Sequence, residues 1–240
     1  MGLAIRVKSL ETASALYGVL NREVRARMAL QPIVELRGGR VIGYEALFRV
    51  DRFPQLNPVA MWDEASRAGV LEPLEEMVAG LCKAIRLPYG LLFVNVDSRA
   101  TGTVERWRGE AGVVLELSEI ARVPESMVVQ LEEARIAYAL DDMGAGFANT
   151  ALAVRTRPAY IKVDRSIVDG CRDDDRKSSM IRHLARFAKD TRAHLIAEGV
   201  ENRGDASTLR SLSVPLAQGY LFGRPKRMRQ TRRDPGDRRR

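Results

Sequence analysis

Short apolar runs alternate along the chain with stretches of helical spacing, and the runs are separated by Gly, Pro and Asp-rich turns. Gln31–Leu36 and Val41–Phe48 flank Arg37-Gly38-Gly39-Arg40, a spacing that predicts a hairpin with its two strands antiparallel. Beyond it, Leu91–Val96, Gly112–Leu117, Ile136–Leu140, Ala159–Val163, His194–Ala197 and Val214–Gln218 are predicted strands. Between them, Asn57–Gly69, Glu72–Ile85, Pro124–Ala134, Phe147–Val154, Asp175–Thr191 and Asp205–Leu212 have the periodicity and end signals of helices. At the N-terminus Leu16, Leu20, Val24 and Met28 recur at i+4, which predicts a helix over 11–29.

About eight strands alternating with helices imply a parallel α/β architecture, and this chain length suits a (β/α)8 barrel. A doubly wound open sheet is the alternative. The division expected is an N-terminal helical segment (1–30), a barrel (31–225) and a tail (226–240). The polar residues inside the strands change the picture most. Glu45, Asn95, Glu116, Asp141 with Asp142, Lys162, Glu198 and Gln218 each stand at or near the C-terminal end of a separate predicted strand. In a barrel that end carries the active site, with residues contributed by several strands. Carboxylates gathered in one pocket repel each other unless cations sit between them. Oxygen donors without His or Cys select hard cations such as Mg²⁺, Mn²⁺ or Ca²⁺. Adjacent Asp141 and Asp142 suit two such ions, Lys162 adds a point charge for water or phosphate, and the Arg49 fork suits a phosphate oxygen or a guanine edge. The chemistry implied is phosphodiester hydrolysis.

Composition is that of a soluble globular protein, with 45% hydrophobic and 29% charged residues. The absence of a long apolar run and of a signal-peptide layout points to a cytoplasmic protein with no membrane segment. Two histidines argue against a zinc centre or a Ser-His triad, and Cys82 and Cys171 read as reduced thiols. The net charge of +8 suggests nucleic acid at first. However, residues 226–240 carry eight Lys or Arg and two Asp, which leaves the rest near neutral. Such a block reads as a disordered, solvated tail in preference to a nucleic-acid contact.

In order along the chain stand Gln31-Pro32-Ile33-Val34, Tyr44-Glu45-Ala46-Leu47 with Arg49, Val94-Asn95-Val96, and Leu115-Glu116-Leu117-Ser118-Glu119. They are followed by Asp141-Asp142-Met143-Gly144-Ala145-Gly146-Phe147, Ile161-Lys162-Val163-Asp164, Ala197-Glu198-Gly199-Val200-Glu201 and Gln218-Gly219-Tyr220-Leu221-Phe222. Together these motifs resemble the EAL domain family of bacterial phosphodiesterases, which hydrolyse cyclic di-GMP to linear pGpG. The resemblance implies a modified TIM barrel with one antiparallel strand. It implies Glu45, Asn95, Glu116 and Asp141 as ligands of a first Mg²⁺ or Mn²⁺, and Asp141 with Asp142 as holding a second. Glu198 is then the general base or a second-metal ligand, and Lys162 holds the attacking water. Gln218 contacts a metal-bound water or the phosphate, Glu201 supports that network, and Gln31 and Arg49 touch substrate. Glu119 pins the loop after Asp142. Inhibition by Ca²⁺ and a homodimer formed through that loop are also implied.

The chain departs from the family pattern at Met143, Ala145 and Phe147, where Phe, Thr and Tyr are usual. Asp97 replaces a Ser, and the basic tail stands where a closing helix is usual. No sensory or cyclase domain is expected before Gln31. These changes support an alternative, a catalytically silent module that binds cyclic di-GMP or a protein partner. Trp62 and Trp107 are expected in the core or at the rim.

Overall fold

Eight strands hydrogen-bond in sequence order into a closed barrel, with helices packed around it. The computed structural model describes residues 2–87, 89–118, 123–144 and 148–227, with side chains from residue 10 onward except at 148–150. Helix α1 (Gly2–Leu20) precedes the hairpin of β1 (Ala26–Glu35) and β2 (Val41–Val50). β1 is antiparallel to β2 and also to β8 (Leu216–Gln218). All other neighbours are parallel: β2 with β3 (Leu91–Val96), and then β4 (Val113–Leu117), β5 (Ala137–Met143), β6 (Tyr160–Val163), β7 (His194–Ala197) and β8 in turn. The fold is therefore a modified TIM barrel with one antiparallel strand, and the open sheet is excluded.

The helices begin where the sequence supplies caps. In α2 (Pro58–Arg67) the Asn57 side chain accepts from Val59 N, and Pro58 occupies the first turn, where its missing N–H costs nothing. α8 (Asp175–Thr191) starts at Asp174, which accepts from Arg176 N and Lys177 N, and stops at Arg192 in a left-handed conformation. α3 (Leu71–Lys83), α5 (Glu125–Glu133), α6 (Ala148–Arg155) and α9 (Arg203–Ser211) fill the other predicted places. Two short helices, α4 (Thr103–Trp107) and α7 (Arg165–Val168), are too short to show a period in the sequence.

Two expectations need correction. The N-terminal helix ends at Leu20, and Arg22 turns the chain in a left-handed conformation. Met28 belongs to β1, because β2 runs on to Val50 and offers backbone partners back to Ala26. Strand pairing thus overrides the i+4 coincidence of Val24 and Met28. Lys226, assigned to the tail, pairs with Leu30 of β1. The remainder of the tail from 228 and the loop positions Ala145 and Phe147 lie outside the described residues.

The core forms two layers. Outside the strands, residues such as Leu30, Val94, Leu115 and Ile161 pack against helix residues such as Leu16, Met61, Leu74, Leu131 and Leu209. Inside the barrel, Ile33, Phe93, Val114, Ala139, Ile196 and Leu216 form a separate apolar plug. Cys82 and Cys171 are buried and unpaired, and burial pushes each thiol up to about 12, which leaves them inert.

Candidate active site

The plug fixes where the polar groups fall. Side chains alternate along a strand, so the residue two positions beyond each plug residue projects into the barrel one layer higher. Two residues beyond Phe93, Val114, Ala139, Ile196 and Leu216 stand Asn95, Glu116, Asp141, Glu198 and Gln218. Two beyond Gly43 is Glu45, and two beyond Tyr160, which packs on the plug, is Lys162. β1 runs the other way, so its contribution, Gln31, precedes Ile33 by two. Each strand supplies one polar side chain to a single layer at the carboxyl end of the parallel strands.

Lys162, 1% exposed, sits at the centre of this layer. Its Nζ lies 2.7 Å from Glu198 Oε1, 2.8 Å from Glu116 Oε1, 3.0 Å from Asp141 Oδ1 and 3.9 Å from Glu45 Oε1. Asn95 Nδ2 donates to Glu45 Oε1 (3.0 Å) and Glu116 Oε2 (2.9 Å). Gln218 Nε2 donates to Glu45 Oε2 and, at 3.1 Å, to Gln31 Oε1, while Gln31 Nε2 donates to Gly223 O (3.2 Å). Burial alone would lower the Lys162 ammonium, but Asp141, Glu116, Glu198 and Glu45 outweigh it and hold it well above its usual range. Burial pushes Glu116 and Glu198 well above the usual carboxylate range, because the one ammonium does not compensate them fully and neighbouring carboxylates add to the effect. Burial would raise Glu45 too, but Lys162 and the amides of Gln218 and Asn95 keep it low.

Asp141 and Asp142 should face opposite sides of a regular strand. The β5–β6 register breaks between Leu140 and Met143, and Asp142 adopts φ +56°. This irregularity re-aims Asp142, so that Asp141, Asp142 and Glu198 each offer an oxygen within 4.8 Å of the others. Ser118 Oγ approaches Asp142 Oδ2 at 3.5 Å, and burial, reinforced by Asp141, pushes Asp142 up to about 6.

Five carboxylates, Glu45, Glu116, Asp141, Asp142 and Glu198, share one buried ammonium here. Gln218 Oε1 is buried with no hydrogen-bond partner among the described residues. An excess of negative charge, an all-oxygen donor set and an orphaned acceptor fit hard divalent cations.

A cavity of about 320 Å³ opens onto this layer, lined by Glu45, Asn95, Asp141 and Asp142 and by an apolar wall of Met28, Phe48, Val59 and Trp62. Arg49 also lines it, with Nη1 donating to Phe48 O at 2.7 Å. Among the described residues the Glu201 carboxylate pairs with Arg165 Nη1 at 2.9 Å and makes no contact with the Gln218 network. Glu119 lies outside the described residues. Trp107 is core at 2% exposed, whereas Trp62 belongs to the cavity wall. Asp63, Asp97 and Arg99 also line the cavity, and no sequence motif marks them as site residues. The i, i+3, i+4 spacing of Val59, Trp62 and Asp63 was the available signal, since it puts them on one face of α2.

The fold and its polar layer define an α/β barrel protein with an acidic, oxygen-lined centre at the carboxyl ends of its strands. The chain belongs to the EAL domain family, whose family model matches residues 14–225. A protein of Azorhizobium caulinodans is 29% identical over 245 residues, covering 90% of this chain and 33% of that protein. The probable cyclic di-GMP phosphodiesterase PdeG of Escherichia coli K12 is 27% identical over 222 residues, covering 81% of this chain and 43% of that protein. Among solved structures, the c-di-GMP complex of the PaMucR phosphodiesterase shares the fold, with TM-score 0.78 at 23% identity over 90% of this chain and 97% of that one. The chain spans a third or less of the length of the first curated relatives it matches. Among the described residues, no helix is long and apolar enough to cross a membrane.

Proposed function

We propose that the chain is a divalent-metal-dependent phosphodiesterase that opens cyclic di-GMP to linear pGpG. The observation that carries this reading is the polar layer, in which all eight strands aim a polar side chain at one point and carboxylates outnumber the ammonium. Glu45, Asn95, Glu116 and Asp141 would hold one Mg²⁺ or Mn²⁺, and Asp141 with Asp142, beside Glu198, a second. Bound there, such cations would neutralise the carboxylates, polarise the phosphoryl oxygens and ease deprotonation of water.

The residues of the chain divide the remaining work. Glu198, whose carboxylate lies beside the Asp141 and Asp142 oxygens, takes the proton of the attacking water as a general base. Lys162, 2.7 Å from Glu198, fixes that carboxylate and holds the water in line. The water oxygen bonds to phosphorus, the bond from phosphorus to the ribose 3′ oxygen breaks, and that oxygen leaves as a hydroxyl by taking a proton from solvent, to which Glu198 then returns the proton it took. Arg49 binds the phosphodiester from the cavity side, and Gln31 and Gln218, linked amide to amide, position it from the β1 side. Glu201 supports this side through Arg165. In this reading the barrel (31–225) works as a cytoplasmic homodimer coupled through the loop after Asp142, flanked by the N-terminal segment and the basic tail.

The test is turnover of cyclic di-GMP by purified protein with Mg²⁺ or Mn²⁺, with Ca²⁺ as the inhibitory arm, beside Glu45→Ala and Glu198→Ala. Formation of pGpG by wild type and its loss in both variants is expected. Binding without turnover above the variants would establish the silent module, which the changes at Met143, Ala145 and Phe147 favour.

A further inference from the structure

We propose that Asp63, held in place by Arg99, reads the guanine base of the dinucleotide, an inference that rests on the function proposed above. Asp63 stands on α2 in the wall of the same cavity that reaches Glu45 and Asp141. Its Oδ1 accepts from Arg99 Nη1 at 3.0 Å. Arg99 is itself clamped by Asp97, through Nε at 2.9 and 3.1 Å and Nη2 at 2.5 Å, and Asp97 is 9% exposed. The guanidinium therefore has two carboxylates to satisfy and a fixed orientation. The Asp63 carboxylate is correspondingly fixed, with a 44% exposed side chain. Its Oδ2 has no partner among the described residues, and each carboxylate oxygen can accept two hydrogen bonds.

The chemistry of that arrangement is selective. Guanine presents N1–H and the 2-amino group as adjacent donors, which a carboxylate accepts in a two-point contact. Adenine presents a lone pair at N1 in the same place, which a carboxylate repels. The neighbouring wall suits the flat face of a purine. Trp62 is fixed by its Nε1–H donating to Glu75 Oε1 at 2.6 Å and by an edge-to-face contact with Phe48 at 5.2 Å between ring centroids. Arg49, also on the cavity, remains available for the phosphate. The Asp97 that departs from the family Ser thus acquires a role: it sets Arg99, which sets Asp63.

The experiment compares wild type, Asp63→Ala and Asp63→Asn for cyclic di-GMP and for its inosine counterpart, which lacks the 2-amino group. Both kcat and KM are read, and Kd is read by calorimetry. A two-point contact to a base is worth about ten- to a hundredfold in affinity. KM and Kd for cyclic di-GMP are expected to rise by that factor in Asp63→Ala while kcat changes little. The preference of wild type for guanine over inosine should collapse toward unity. Asp63→Asn, which keeps one acceptor oxygen, should fall between the two. Melting temperatures within a few degrees of wild type would show that the fold is kept, since Asp63 is well exposed. Unchanged KM, or an unchanged guanine-to-inosine ratio in the variants, overturns the inference and leaves the phosphodiesterase reading intact. If wild type turns over neither nucleotide, the underlying reading fails, and the Kd ratio alone decides: an unchanged ratio, or no binding, overturns base reading as well.

Discussion

Replacing Lys162 by Met tests the electrostatic account of the barrel interior most directly. Met preserves the length and apolar stem of the side chain, so the perturbation is the loss of one charge. That charge lies within 3.0 Å of three carboxylates, in a place where Lys162 is 1% and Glu116 0% exposed. Removing one partner of a buried ion pair costs about 3–5 kcal/mol, because the other is left uncompensated. The raised positions of Glu116 and Glu198 let them take up protons and relieve part of this cost, so the lower end, about 3 kcal/mol, is expected. For a domain of this size each kcal/mol moves the midpoint by about 2–4 °C, so Lys162→Met should melt about 6–12 °C below wild type in EDTA. Saturating Mg²⁺ or Mn²⁺ should then raise the variant more than wild type, because it returns positive charge to a site that now holds none; ligand at a hundred times its Kd contributes about 2.7 kcal/mol. The assay is thermal unfolding by circular dichroism with and without metal. A variant melting within about 2 °C of wild type in EDTA would refute the reasoning, as would an equal metal-induced shift in both proteins.

Three further outcomes are expected. Burial pushes Glu75 up to about 7, from an ordinary 4.5, despite the donors Trp62 Nε1 and Asp97 N. The folded state therefore binds the extra proton between these values. Stability is fully present below about pH 4.5 and is lost as pH rises through 7, by about 3 kcal/mol, so denaturation curves of wild type and Glu75→Gln should diverge by that amount between pH 4.5 and 8. Parallel curves would contradict this. At Asp142 (φ +56°), Gly accepts the left-handed backbone and Ala does not, so Asp142→Gly should be about 1 kcal/mol more stable than Asp142→Ala in urea titration, with hydrolysis lost in both. At Gly43, an added Cβ would lie 2.5 Å from Leu91 O, a backbone atom on β3 that cannot yield without parting the strands. Gly43→Ala should cost about 1–3 kcal/mol and depress turnover by displacing Glu45, which differential scanning calorimetry and the pGpG assay would register.

The strand ends were legible because apolar runs and turn residues mark them without reference to tertiary structure. β3, β7 and α8 have the bounds that the sequence implies. The polar layer was legible for the same reason: a carboxylate two positions beyond an apolar strand residue is conspicuous. Three things escaped. The break in β5 that turns Asp142 toward Asp141 depends on pairing with β6, and no local signal announces it. The start of β1 at Ala26 depends on how far β2 continues, so Met28 passed for a helix residue. Asp63, Asp97 and Arg99 are ordinary surface residue types, and only the folding of α2 over the barrel mouth gives them a common cavity.

The reversed direction of β1 has a geometric consequence. In a barrel of uniform strands the first strand enters from the closed floor, far from the chemistry. Here Ala26 pairs with Val50, so the chain enters at the rim where the acids lie. α1 leads directly to that rim and packs on α2, the helix that carries Trp62 and Asp63. A single helix–helix seam therefore separates α1 from the helix that walls the cavity, and the entering chain and the acids share one rim.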